Sequence, residues 1–102
     1  EIEGIGTSEL TITGVKRLHG ATYRVMADRI EAGSYACAAA ITGGDVLLEG
    51  ARYSDMGATI HALRNIGITV TEEKNGTRIA ADGPLMPVNL TTAPYPGLAT
   101  DM

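Results

Sequence analysis

Apolar and polar residues alternate over Leu10-Thr11-Ile12-Thr13 and again over Tyr23-Arg24-Val25-Met26. That period of two is the mark of a half-buried strand, so two strands are predicted, joined by a connection bracketed by Gly14 and Gly20 and placed to pair. At Asp28 the pattern changes. Asp28 with Glu31 three residues on is a capping-box arrangement, in which each side chain satisfies an orphan backbone N–H, and a helix is predicted from there. Ile30, Ser34, Cys37 and Ile41 recur at helical spacing among Ala36, Ala38, Ala39 and Ala40, giving high helix propensity and a slim surface that can lie close to a sheet. Gly43-Gly44 closes this helix. Asp45-Val46-Leu47-Leu48-Glu49 is a short apolar run between turn residues, which predicts a buried strand. With helix before and after it, parallel pairing is expected.

A second helix is predicted behind a cap at Ser54 or Asp55, with the apolar stripe Met56, Ile60, Leu63 and Ile66 and an end at Gly67. Ile68-Thr69-Val70-Thr71 alternates once more, and Asn75-Gly76 predicts a hairpin with a type I′ turn, since both residues tolerate positive φ. The return strand is Thr77-Arg78-Ile79-Ala80. Asp82-Gly83-Pro84 breaks the chain, Val88-Asn89-Leu90 is a last short strand, and the segment holding Pro94, Pro96 and Gly97 is an ordered loop without regular structure. From Tyr23 onward the order is β-α-β-α-β-β, an α/β class, with extra strands at either end.

Composition narrows the possibilities. The 102 residues are length for one domain. With 44% hydrophobic and 20% charged residues, the chain is neither disordered nor membrane-spanning, because no stretch approaches the ~20 consecutive apolar residues a bilayer requires. Eight basic against twelve acidic residues give a net charge of −4, and the scattered Lys and Arg leave no footprint for a phosphate backbone, so nucleic acid is not an expected partner. A lone Cys37 forms no internal disulfide or cysteine metal site, and no basic-then-apolar signal segment opens the chain, so a reducing cytoplasm is expected. A start at Glu1 without an initiator Met, and an end at Met102, read as cuts. The expectation is a piece of something larger.

Most chemistry-bearing residues have an ordinary reading. Cys37 lies on the apolar stripe of the first helix, where a thiol packs as a small hydrophobe. His19 and His61 have no second ligand or carboxylate at a recognisable spacing. Gly4-Ile5-Gly6-Thr7 lacks the lysine and the following helix of a phosphate loop and reads as a turn. Glu72-Glu73-Lys74 is a solvated charge run beside the hairpin. Two sites remain. Asp28-Arg29 opens a helix whose free N–H groups favour an anion, and Arg29 adds a planar, bidentate donor, although by spacing alone ordinary capping is the favoured reading. Asp101 follows Thr100 and a Pro-Gly-rich loop, which would hold a carboxylate at a fixed angle for proton abstraction or hydroxyl binding, against the alternative of a solvated Asp.

Three strings carry a resemblance: Asp28-Arg29-Ile30-Glu31-Ala32-Gly33, Thr92-Ala93-Pro94-Tyr95-Pro96-Gly97 and Thr100-Asp101-Met102. With Gly4-Ile5-Gly6-Thr7-Ser8 and Ile12-Thr13-Gly14-Val15 they cover essentially the whole chain. In them the chain resembles the UDP-N-acetylglucosamine enolpyruvyl transferases (1-carboxyvinyltransferases) of bacterial peptidoglycan synthesis. The resemblance implies the β-α-β-α-β-β folding unit of the enolpyruvyl transferase fold, an inside-out α/β barrel, with two helices packed on a mixed sheet. Residues 1–102 would then be one α/β unit of a larger two-domain bacterial, cytoplasmic enzyme, with the strands of 1–27 belonging to the neighbouring domain and 28–102 forming the main unit.

The implied reaction passes the enolpyruvyl group of phosphoenolpyruvate to the 3′-hydroxyl of UDP-N-acetylglucosamine and releases phosphate, with no metal or organic cofactor. Asp101 matches the family aspartate that binds the 3′-hydroxyl and serves as its general base, which is chemically apt because the attacking alcohol must lose its proton. Thr100 supports Asp101, and Asp28 and Arg29 match a string beside the substrate cleft. The family's reactive loop cysteine and its phosphoenolpyruvate-binding Lys and Arg have no counterpart here, and Cys37 does not take that part. The chain departs from the family at Met26-Ala27, where a proline commonly precedes Asp28, and at Leu98-Ala99, where Phe-Pro is usual. Loss of that second proline loosens the loop that aims Asp101. The resemblance further implies that the piece alone does not turn over. The competing expectation is a non-catalytic folding unit or binding module, self-associating through faces its neighbours would cover.

Overall fold

The computed structural model describes residues 1–100 of the chain. In order these form β1 (Ile2–Glu3), β2 (Thr11–Ile12), α1 (Arg29–Ile41), β3 (Asp45–Glu49), a 3₁₀ turn (Tyr53–Met56), α2 (Gly57–Ile66), β4 (Thr69–Glu73) and β5 (Gly76–Ala80). The Cα radius of gyration is 17.3 Å, against about 13 Å for a compact domain of this length. A well-packed helix–sheet unit beyond residue 28 carries an extended strap, residues 1–28, every one of which is exposed.

Helix α1 starts where the sequence places it. The Asp28 carboxylate accepts the Ile30 amide at 2.8 Å, a cap on the second helical N–H, while Glu31 is exposed and does not close the reciprocal arm of a capping box. At the other end the Gly44 amide reaches the Ala39 carbonyl at 2.8 Å, with Gly43 in the left-handed region, the closure called a Schellman motif. The buried face of α1 is Ala32, Gly33, Ala36, Ala39 and Ala40. It is not the predicted stripe of larger residues: Ile30 and Cys37 are half-buried and Ser34 and Ile41 exposed. A close approach to β3, β5 and the start of α2 admits only small side chains, so the alanine face wins.

Helix α2 keeps its predicted stripe, with Met56, Ile60 and Leu63 buried and the helix ending on Gly67 at φ 102°. Its predicted caps do not form. Ser54 and Asp55 lie inside the 3₁₀ turn, and α2 begins behind Met56 without a side-chain cap, because the chain is already winding when it enters the helix. Arg64 ties the far end of α2 to the sheet, donating to the Val70 carbonyl at 2.7 Å while its guanidinium lies over the Tyr53 ring.

The sheet corrects the expected topology. β5 lies between β3 and β4 and is antiparallel to both, so the pairing of 45–49 is not parallel and this sheet is not mixed. β3 and β4 still run in the same direction, as a strand–helix–strand connection requires, but the hairpin inserts its return strand between them. β3 is thereby an edge strand and is half-exposed rather than buried. In the row Val46↔Ile79↔Val70 the side chains face the helices, and Ile79 is completely buried. The next row, Leu47↔Arg78↔Thr71, faces away. There Arg78 donates to Asp45 at 2.8 Å and lies 3.5 Å from Glu73. The Asp45 hydrogen bond and charge, with Glu73 adding to them, raise the guanidinium's pKa above its ordinary value.

The hairpin forms, one residue out of its expected place. Its register Glu73↔Gly76 makes Lys74-Asn75 the tip, and neither Asn75 nor Gly76 has positive φ, so the turn is not type I′. Gly76 is needed for a different reason: a Cβ there would overlap the Leu48 carbonyl oxygen of the neighbouring strand. Behind the sheet the buried Thr77 hydroxyl donates to the Ala51 carbonyl at 3.0 Å.

Outside this unit the strand expectations fail in part. Thr11–Ile12 pairs with Ile2–Glu3 and not with residues 23–26, which belong to no ladder. The Gly4-to-Thr7 segment is the expected turn, with the Thr7 hydroxyl donating to the Gly4 carbonyl at 2.7 Å. Residues 88–90, expected as a last strand, also belong to no ladder.

Candidate functional site

The strings at 28–33 and 92–97 are far apart in sequence, and the fold joins them. Asp28 and Arg29 are aimed by the start of α1. Residues 92–98 form a closed loop: Thr92 bridges Leu98, the Ala93 amide donates to the Leu98 carbonyl at 2.9 Å, and the Gly97 amide closes the turn on Pro94 at 2.8 Å. The Tyr95–Pro96 peptide is cis. Gly97 has no room for a side chain, since a Cβ would sit 2.6 Å from the Ala93 Cβ and 2.9 Å from its carbonyl oxygen. Closed in this way by Ala93–Leu98 and Gly97–Pro94, the loop presents Tyr95 at its tip. There the Arg29 guanidinium lies over the ring, 4.9 Å from its centroid.

This stacked pair separates two clefts. One, of about 440 Å³, runs between Arg29 and the loop and is lined by Thr92, Tyr95, Ala99 and Thr100 among others. The other, of about 550 Å³, is lined by Met26, Ala27, Asp28, Arg29, Asp55 and Tyr95. Three of the four predicted site residues, Asp28, Arg29 and Thr100, thus meet around one aromatic ring. The fourth, Asp101, lies outside the described residues.

Electrostatics give Arg29 a particular capacity. Among the described residues no carboxylate pairs with it, and it is the one basic side chain lining either cleft. A guanidinium with no carboxylate partner has N–H donors to offer a planar anion such as a carboxylate or phosphate. The α1 N-terminus contributes less than the sequence promises, since Asp28 already occupies the Ile30 amide. Asp55 supplies the opposite sign. Its Oδ1 accepts the Ser54 hydroxyl at 3.2 Å, and its solvent-shielded Oδ2 has no hydrogen bond and lies 3.6 Å from Arg52 Nε.

The remaining candidates stay apart. Cys37 is half-buried along α1. His19 sits in the strap, its Nδ1 2.9 Å from the Gly20 carbonyl, and His61 pairs with Asn65 on the exposed face of α2. Among the described residues no group of three or more His, Cys, Asp or Glu is placed to hold a metal ion, and no helix is long and apolar enough to cross a membrane. Sequence reasoning missed Tyr95 and Asp55 as site residues. Tyr95 sits inside a string that drew notice, but its partner is distant along the chain, and no spacing rule links them.

Comparison with known proteins agrees with these strings. The family described as EPSP synthase (3-phosphoshikimate 1-carboxyvinyltransferase) matches residues 1–102. The UDP-N-acetylglucosamine 1-carboxyvinyltransferase of Novosphingobium aromaticivorans is 71% identical over 102 residues, which is 100% of this chain and 24% of that protein. Proteins of the same name from Sphingopyxis alaskensis and Zymomonas mobilis are 70% and 58% identical, over 99% and 100% of this chain and again 24% of their own length. The chain spans about a quarter of the length of these curated relatives.

Proposed function

The chain belongs to the EPSP synthase (3-phosphoshikimate 1-carboxyvinyltransferase) family, and from that membership we propose that it supplies one wall of the sugar-nucleotide site of an enolpyruvyl transferase. The observation that carries the reading is the placing of the Arg29 guanidinium over the Tyr95 ring, with Asp28 lining the cleft on one side of the pair and Thr100 the cleft on the other. Identity of 58–71% with proteins named for UDP-N-acetylglucosamine favours that sugar nucleotide over shikimate phosphate as acceptor.

In this reading the 3′-hydroxyl of UDP-N-acetylglucosamine attacks the enolpyruvyl carbon of phosphoenolpyruvate. Asp101 takes the hydroxyl proton with Thr100 supporting that carboxylate, the methylene carbon takes up a proton from an acid outside this chain, and loss of a proton from that carbon re-forms the double bond as phosphate leaves. Arg29 offers its N–H donors to an anionic group of substrate or product. The reaction is the first committed step of peptidoglycan synthesis, in a bacterial cytoplasm. Residues 1–27 belong with a neighbouring domain and 28–102 with the main unit, which the full exposure of residues 1–28 supports. The remaining catalytic groups come from parts of the parent enzyme that this chain does not contain.

The test is a graft. These 102 residues replace the matching stretch of the 71%-identical relative, and phosphate release from phosphoenolpyruvate and UDP-N-acetylglucosamine is measured. Activity that survives the graft and disappears with Asp101→Asn is the expected result. A graft whose turnover is untouched by Asp101→Asn refutes the assigned role, and the free 102-residue chain is expected to release no phosphate.

A further inference from the structure

The loop from Thr92 to Thr100 leads directly to the residue proposed as general base, yet little fastens it to the helix–sheet unit. Its hydrogen bonds close it on itself, joining Ala93 to Leu98 and Gly97 to Pro94. Residues 91–96 are exposed throughout. Its one ring contact to the unit is Arg29 over Tyr95, at 4.9 Å. Arg29 is itself immobilised at its root as the first residue of α1, locked by the Asp28 cap. The hydrogen bonds from Ala93 to Leu98 and from Gly97 to Pro94 tie the two arms of the loop together, so holding its tip constrains its exit at Thr100.

From this geometry we infer that Tyr95 is a positioning residue: its ring clamps the Arg29 guanidinium, sets the loop against the start of α1, and so fixes where Thr100 lines the cleft. The inference rests on the transferase reading for its consequence in catalysis, but the clamp stands on geometry alone. The ring face does the work. Tyr95 shares no hydrogen bond with the described residues, so its hydroxyl is not the anchor. The chain carries alanine at position 99, which leaves the segment before Thr100 without the rigidity a proline would give, and a clamp at the tip offsets that.

Two measurements test the proposal. In the full 102-residue chain, nuclear Overhauser contacts between the Tyr95 ring and the Arg29 side chain, with amide exchange at Ala93, report the clamp. Tyr95→Phe is expected to keep both and Tyr95→Ala to lose the contact and speed exchange. In the graft, Tyr95→Ala is expected to lower kcat roughly two- to fivefold, the range an exposed cation–π contact carries, with KM for UDP-N-acetylglucosamine much less affected and Tyr95→Phe restoring it. Arg29→Leu combined with Tyr95→Ala should show less than the product of the single effects.

Equal impairment in Tyr95→Phe and Tyr95→Ala, or effects of Arg29→Leu and Tyr95→Ala that multiply independently, would overturn the clamp. An inactive graft with Tyr95 intact counts against the transferase reading instead, and the Overhauser contact and exchange rate then decide the clamp by themselves.

Discussion

The strap of residues 1–28 and the unit of residues 29–81 are written in the same alphabet, alternating or periodic apolar positions, and meet opposite fates. In the strap Ile12, Val15, Leu18, Tyr23 and Val25 are all more than half exposed. In the unit Ile60, Leu63, Val70 and Ile79 are all under 5% exposed. The difference is not propensity. Two paired residues per strand cannot bury an apolar face, whereas three strands under two helices can, and a lone two-stranded ribbon is marginal in water. Amphipathic pattern is a demand for a partner; only the unit contains one.

The comparison can be broken most sharply at Ile79. Removing this completely buried side chain with Ile79→Ala should cost about 2–5 kcal/mol of unfolding free energy in urea titration, and a loss under ~0.5 kcal/mol would mean that the helix–sheet core is not packed as described. Gly76→Val comes next. Its side chain must displace the Leu48 carbonyl, so β3 should part from β5, seen as faster amide exchange along residues 45–49 at a cost of about 1–3 kcal/mol. Unchanged exchange there would remove the close approach as the reason for glycine.

Asp28→Ala probes the seam between the two regions. Loss of the Ile30 cap should cost about 1 kcal/mol, measurable as a lower midpoint, with Asp28→Asn retaining most of it. Smallest of all is the strap itself. Val25→Ser should change the stability of the free chain by no more than ~0.5 kcal/mol, since Val25 is 83% exposed. The same change in the grafted, full-length frame should be clearly destabilising if the strap docks on a neighbouring domain, and equal effects in both settings would sink that assignment.

Both helices and their ends at Gly43 and Gly67 were legible in the sequence because each depends on residues within a few positions, an Asp cap, a periodic stripe or a residue able to turn left-handed, while the hairpin was legible from its alternating arms but not in its turn type. The pairing of β3 was not legible. Whether 45–49 joins its neighbour in parallel or accepts β5 depends on where the hairpin's return strand goes, a choice made among strands far apart in the chain. The cap expected at Ser54 or Asp55 failed for a related reason, since the backbone winds into α2 earlier through a 3₁₀ turn. The neighbours of the Tyr95 ring were legible only one by one. Asp28, Arg29 and Thr100 were singled out as residues, but their convergence required the Tyr95 loop to reach back to α1.

The sequence by itself determined the local units and the strings that mark the family, because helix caps, amphipathic periods and turn residues act over one or two turns of chain. Tertiary structure alone decided which face of α1 is buried, that β5 lies between β3 and β4, why position 76 must be glycine, and that Arg29 meets Tyr95. Each of these is a contact between segments remote in sequence, settled by close packing and by which backbone can approach which, and no local pattern carries that information.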